Sequence, residues 1–78
     1  MRVVLYSRAG CHLCDVAREV LLAERATAAF DLVEVDVGGD DDLERGYGIR
    51  IPVVEIDGEE RFEYEVDAAE LRFIVRAG

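Results

Sequence analysis

The chain has 78 residues, 51 % of them hydrophobic, which is enough for one small domain to bury a core without a structural metal or a disulfide framework. Its 9 basic residues, all arginine, stand against 18 acidic ones, and the net charge of -9 argues against nucleic acid and anionic membranes, which both need basic surface. The same acidity keeps the chain soluble and favours partners with a basic docking face.

Taken in order, Arg2 to Tyr6 is short, apolar and β-branched, and reads as a buried strand. Ser7-Arg8-Ala9-Gly10 forms a turn. From Cys11 to about Arg25 the spacing of Val16, Ala17, Val20, Leu21 and Ala23-Glu24 has the 3.6 period of an amphipathic helix. Ala28 to Val37, with Phe30, Leu32, Val33, Val35 and Val37, predicts a second strand that Gly38-Gly39 breaks. Asp40 to Tyr47 predicts a short helix with Asp40 or Asp41 as cap and Gly46 and Gly48 limiting its end. A third strand covers Ile51 to Ile56, with Pro52 where a missing donor is tolerated. Asp57-Gly58 is a hairpin turn, and Glu60 to Tyr64 is the returning strand. Val66 to Arg76 predicts a last helix, with Asp67 as cap and Glu70 at the capping-box position.

The order is β-α-β, short helix, β-β-α. Strands joined through a helix run parallel by a right-handed crossover, and the final pair is an antiparallel hairpin. The expected fold is therefore α/β, a four-stranded mixed sheet flanked by helices, in one domain over residues 1–78. No stretch approaches the ~20 apolar residues of a membrane helix. The N-terminal apolar run, about four residues, is far short of the ~7–15 of a secretion signal. Two cysteines without others fit a reducing compartment, so a cytoplasmic protein, taken as a monomer, is expected.

Cys11-His12-Leu13-Cys14 is the feature that suggests chemistry. It falls between strand and helix, and a helix N-terminus carries roughly half a positive charge, which favours thiolate over thiol. Comparable motifs lower a cysteine pKa from about 8.5 to ~3.5–7.5. Cys11, at the helix start, is the candidate nucleophile; Cys14, one turn on, is the resolving thiol. A Cys11–Cys14 bond closes a very short loop and constrains the unfolded chain little, so it serves chemistry more than stability. His12, between the two, modulates the thiolate or is an exposed polar residue of the first turn.

These residues, with Glu34-Val35-Asp36, then Tyr47-Gly48-Ile49-Arg50-Ile51-Pro52-Val53-Val54 and Asp57-Gly58, resemble the glutaredoxin branch of the thioredoxin fold. The likeness extends to the short bacterial glutaredoxin-like proteins, whose Cys-His-Leu-Cys and Asp-Ala-Ala-x-Leu segments match Cys11–Cys14 and Asp67–Leu71. It covers essentially the whole chain. The resemblance implies a thiol–disulfide oxidoreductase with no bound cofactor, acting on protein disulfides or glutathione mixed disulfides and supplied by a thiol reductant system. It implies that Pro52 is cis and faces the cysteines, and that the backbone of Ile51 receives the substrate. It assigns Arg8 to a glutathione carboxylate and Asp67 to the glutathione amino group, with Arg50 within reach of a carboxylate. Read alone, Arg8 is a turn residue, Arg50 a solvated charge and Asp67 a helix cap. Tyr6 and Tyr47 read as core edge. The chain departs from the family at His12-Leu13, where Pro-Tyr is familiar, and at Tyr64-Glu65, which replaces a Gly-Gly pair.

Three other readings compete. A non-catalytic module would use the same groove to hold a glutathionylated or extended partner. A structural zinc needs four ligands, and a second Cys or His pair is missing. An iron–sulfur cluster bridged between two chains has no support beyond the same two cysteines.

Overall fold

The structure, a computed structural model, describes residues 1–77. Its elements are β1 (Arg2–Ser7), α1 (His12–Arg25), β2 (Asp31–Asp36), α2 (Asp41–Tyr47), β3 (Val53–Ile56), β4 (Glu59–Glu63) and α3 (Ala68–Ala77). They form a single four-stranded sheet in the order β2-β1-β3-β4. β1 pairs parallel to β2, with Leu5 opposite Glu34, and antiparallel to β3, with Leu5 opposite Val54. β3 and β4 form the hairpin, with a register shift between Val54 and Glu55. The mixed α/β sheet expected from the element order is the one observed.

Alternation in the strands decides which side is core. Val3 and Leu5 of β1, Val54 and Ile56 of β3 and Phe62 of β4 share one face and pack with Ala17 and Leu21 of α1 and Leu71 of α3. Tyr6 and Glu55 alternate with them, so they point to the opposite face, where α2 lies with its Tyr47 ring on Tyr6. Helix α2 has no buried residue of its own. The continuous apolar cluster therefore lies on one face, while Val53, on the other, is also fully buried. No helix among the described residues is long and apolar enough to cross a membrane.

Boundaries differ from the sequence reading for local reasons. β2 starts at Asp31 because the backbone N–H groups of Thr27 and Ala28 are still donating to the Glu24 carbonyl at the end of α1. β3 starts at Val53, since Pro52 has no N–H to give to a ladder. β4 stops at Glu63 because Tyr64 turns to a φ of +68°. α3 starts at Ala68: Asp67 Oδ1 accepts from the N–H of Ala69 at 2.9 Å and of Glu70 at 3.0 Å, which makes Asp67 its cap. Asp57 and Gly58 have φ of +50° and +88°, the two positive values of a type I′ turn. Gly46 lies inside α2, and Gly48 follows it in right-handed geometry. What Gly48 supplies is room, because a Cβ there would stand 2.6 Å from the Glu44 carbonyl oxygen.

Candidate active site

β1 ends at Ser7 and hands the chain to the cysteine loop. Because β3 runs antiparallel to β1, it begins at that same end of the sheet, directly after Pro52. Topology thus brings to one end of the sheet two segments that are far apart in the chain.

The loop reverses direction at Gly10, whose φ of +76° favours a residue without Cβ. The Cys11 N–H then donates to the Arg8 carbonyl at 3.3 Å. Cys11 occupies the N-cap of α1 with extended backbone, and its Sγ accepts from the Cys14 N–H at 3.1 Å. A sulfur in that position takes the place of a Ser or Asp capping oxygen, and the same donor that caps the helix stabilises negative charge on the sulfur. Cys14 is completely buried, whereas Cys11 is partly open. The two are joined as a disulfide, with Cα atoms 5.2 Å apart. His12 and Leu13 both lie exposed on the first turn.

On the facing segment the Ile51–Pro52 bond is cis. Pro52 is buried, and its carbonyl accepts from the Tyr64 N–H at 2.8 Å. The ladder to β1 stops at Val53, so the backbone of Ile51 stands outside it.

The remaining residues named from the sequence are engaged within the chain. Arg8 is paired with Glu44, both about 40 % exposed. Arg50 donates to Glu60 at 2.7 Å, to Glu63 at 3.2 Å and to the Gly46 carbonyl at 2.6 Å, and its guanidinium sits 5.6 Å from the Tyr47 ring centre. Asp67 caps α3. The structure thus puts Cys11, Cys14, Ile51 and Pro52 on the segments at one end of the central strands and gives Arg8, Arg50 and Asp67 partners of their own.

Three carboxylates set the frame. Glu34 accepts from Ser7 Oγ at 2.7 Å and from Arg18 Nε at 2.7 Å, and Arg18 also reaches Asp15 at 2.8 Å. Hydrogen bonding from Arg18 holds the Glu34 carboxyl below the usual range. Glu55 accepts from the hydroxyl groups of Tyr6 at 3.0 Å and Tyr47 at 2.9 Å, while the two rings stack at 3.9 Å. Burial, then the Tyr47 and Glu55 groups, push the Tyr6 phenol far above its ordinary 10. At the far end of α1, Glu24 is buried and accepts from Arg72 at 3.1 Å and 3.4 Å, which ties α3 to α1. Sequence reasoning does not single out Glu44, Glu55 or Glu24. Glu24 does fall on the helix's buried stripe with Cys14, Ala17 and Leu21, a polar residue where an apolar one is expected, and that is its only signal.

A strand, a helix capped by the first cysteine of a pair, and a cis-proline leading into the antiparallel neighbouring strand belong to a thioredoxin-type fold of the glutaredoxin kind. Residues 2–75 match the family model described as a glutaredoxin-like domain (DUF836), so the chain belongs to that family. An uncharacterised protein of Mycobacterium tuberculosis is 37 % identical over 76 residues, covering 91 % of this chain and 78 % of its relative. The X-ray structure of the X. campestris protein XcR50 is 39 % identical, covers 97 % of both chains and superposes with a TM-score of 0.77. A mutant thioredoxin from Halobacterium salinarum is 21 % identical and shares the fold at a TM-score of 0.67, over 97 % of this chain and 72 % of its own. The bonded cysteine pair on this fold fits a redox role.

Proposed function

We propose that the chain is a small dithiol–disulfide oxidoreductase. The reduced Cys11 thiolate attacks one sulfur of a substrate disulfide, forming a mixed disulfide and expelling the other sulfur as thiolate. Cys14 then attacks Cys11 Sγ, releases the second substrate thiol and closes the Cys11–Cys14 bond. Two electrons pass from the cysteine pair to the substrate, and the two thiol protons end on the released thiols. A low-molecular-weight thiol such as glutathione, or a dithiol flavoprotein, returns the pair to its reduced form. Ile51 offers its free backbone to the substrate chain beside Pro52, and His12 tunes the thiolate from the first turn.

The observation that carries this reading is the asymmetry of the pair. One sulfur caps the helix with partial access to solvent, and the other is buried one turn behind it. Solvent access suits attack on an incoming substrate; burial suits an intramolecular second step. Titration in defined thiol–disulfide buffers, read by alkylation and intact mass, is expected to show a reversible intramolecular disulfide within about -180 to -270 mV. Cys11→Ser is expected to abolish disulfide reduction. Cys14→Ser is expected to stop at a trapped mixed disulfide on Cys11. Full turnover by Cys11→Ser would overturn the mechanism.

A further inference from the structure

If Cys11 and Cys14 exchange disulfides as proposed, a reading on which the choice of substrate rests, the charges around the pair decide which disulfides enter. Two guanidinium groups occupy the loops that flank it, Arg8 just before the cysteines and Arg50 just before Ile51–Pro52. An unpaired cation in either loop would favour a substrate bearing a carboxylate near the attacked sulfur. Both are already taken. Arg8 is paired with Glu44, and its guanidinium lies so close over Gly48 that a Cβ there would stand 3.2 Å from it. Glu44 is itself fixed on α2: its N–H donates to the Asp40 carbonyl at 2.9 Å and its carbonyl accepts from the Gly48 N–H at 2.9 Å. Arg50 is shared between Glu60, Glu63 and the Gly46 carbonyl.

The rest of the surroundings have the same sign. A hollow of about 240 Å³ beside the cysteine loop is lined by Arg8 and Arg18 but also by Asp15, Glu34 and Asp36. Apolar side chains are open instead. Leu13, between the cysteines, is 49 % exposed, Ile49 is 89 % exposed, and Tyr64, bonded to Pro52, is 49 % exposed.

We infer that Glu44 is a positioning residue that determines specificity by keeping Arg8 occupied, so that the site favours disulfides of extended protein segments with no flanking carboxylate over glutathione mixed disulfides. Glutathione carries two carboxylates, and each would meet acidic side chains beside arginines that are already paired. Because the Arg8–Glu44 pair is half-exposed, it is worth no more than about a fivefold preference. It biases the choice of substrate and does not block glutathione.

The test is single-turnover exchange. Fully reduced protein is mixed with one short peptide linked by a disulfide either to glutathione or to the glutathione diethyl ester, whose carboxylates are masked. In both cases the Cys11–Cys14 bond closes as the peptide thiol and the glutathione thiol are released. The wild-type protein is expected to react with the ester at least as well as with the acid. In Glu44→Gln the acid-to-ester ratio is expected to rise about threefold to fivefold, through the half-saturating concentration rather than the limiting rate. Adding Arg8→Gln to Glu44→Gln is expected to return the ratio to its starting value. Asp42→Asn removes the same charge from the same helix without touching Arg8, and is expected to leave the ratio unmoved. A wild-type preference for the acid, or a ratio that Glu44→Gln fails to shift or that Asp42→Asn shifts equally, overturns this inference and leaves the exchange mechanism standing. Exchange with neither compound overturns both.

Discussion

Leu5 and Tyr6 are neighbours in β1 and look to opposite sides of the sheet. Leu5 enters a continuous apolar cluster with Leu21, Val54 and Leu71, all fully buried. Tyr6 enters a small polar assembly in which two stacked phenols share one carboxylate, Glu55, and nothing on α2 is fully buried. The first face is held by area removed from water, about 25 cal/mol per Å², with no demand on direction. The second is held by directed hydrogen bonds worth about 0.5–1.5 kcal/mol each. The difference matters for chemistry. α2 and the loop after it carry Glu44, Gly48 and the chain leading to Ile51–Pro52, so the weaker but directional face positions the segment that enters β3. The apolar face anchors α1, and with it the cysteines.

Breaking the apolar face should have the largest effect. Leu21→Ala is expected to lower stability by about 2–5 kcal/mol, enough in so short a chain to shift a urea unfolding midpoint severely. A loss below about 1 kcal/mol would mean that the α1 contact is not what holds the core.

Tyr6→Phe tests the directional face and should cost less, about 0.5–1.5 kcal/mol at neutral pH. Its sharper signature is the pH profile. The folded phenol holds its proton above the ordinary 10, so between that value and its raised folded pKa the unfolded chain binds fewer protons than the native one. Stability is therefore fully present below pH about 10 and falls as pH rises beyond it. Tyr6→Phe should flatten that alkaline slope; an unchanged slope would refute the assignment.

Glu34 sits on the apolar side of the sheet but at its polar rim, and its effect should be the smallest. Its carboxyl is depressed by hydrogen bonding from Arg18, so it contributes stability above its ordinary 4.5 and loses it as pH falls through the lower folded value. The pair is partly exposed, which limits the contribution to about 1 kcal/mol or less. Glu34→Gln should remove a shallow part of the acid limb in thermal unfolding measured between about pH 5 and 2. A steeper acid limb in the variant would contradict the sign.

Much of this is legible in local pattern. The short β-branched run from Arg2 to Tyr6, the helical stripe through Ala17 and Leu21, Asp57-Gly58 at the hairpin and Asp67 at the start of the last helix each state a backbone preference within a few residues, and each matches what the fold contains. The cysteine pair is legible for the same reason, since strand, turn and helix start are contiguous. In the sequence Arg8 and Arg50 look free to meet a ligand, because their partners Glu44, Glu60 and Glu63 are 10 to 36 positions away and indistinguishable from any other surface carboxylate. Glu55 is invisible too: nothing in Val53-Val54-Glu55-Ile56 says that its one polar residue will be shared by tyrosines from β1 and α2.

By itself the sequence determined the order and type of the elements, the family and the placing of two thiols at a helix N-terminus. These depend on periodicity, turn chemistry and spacing, which are properties of short segments. The tertiary structure decided which charges are spent on one another and which sulfur is open to solvent. It also decided which segment begins at the same end of the sheet as the cysteine loop. Those outcomes follow from pairing β3 antiparallel to β1 and laying α2 across the opposite face, which bring distant side chains within hydrogen-bonding range, where interaction energy depends on separation in space and not along the chain.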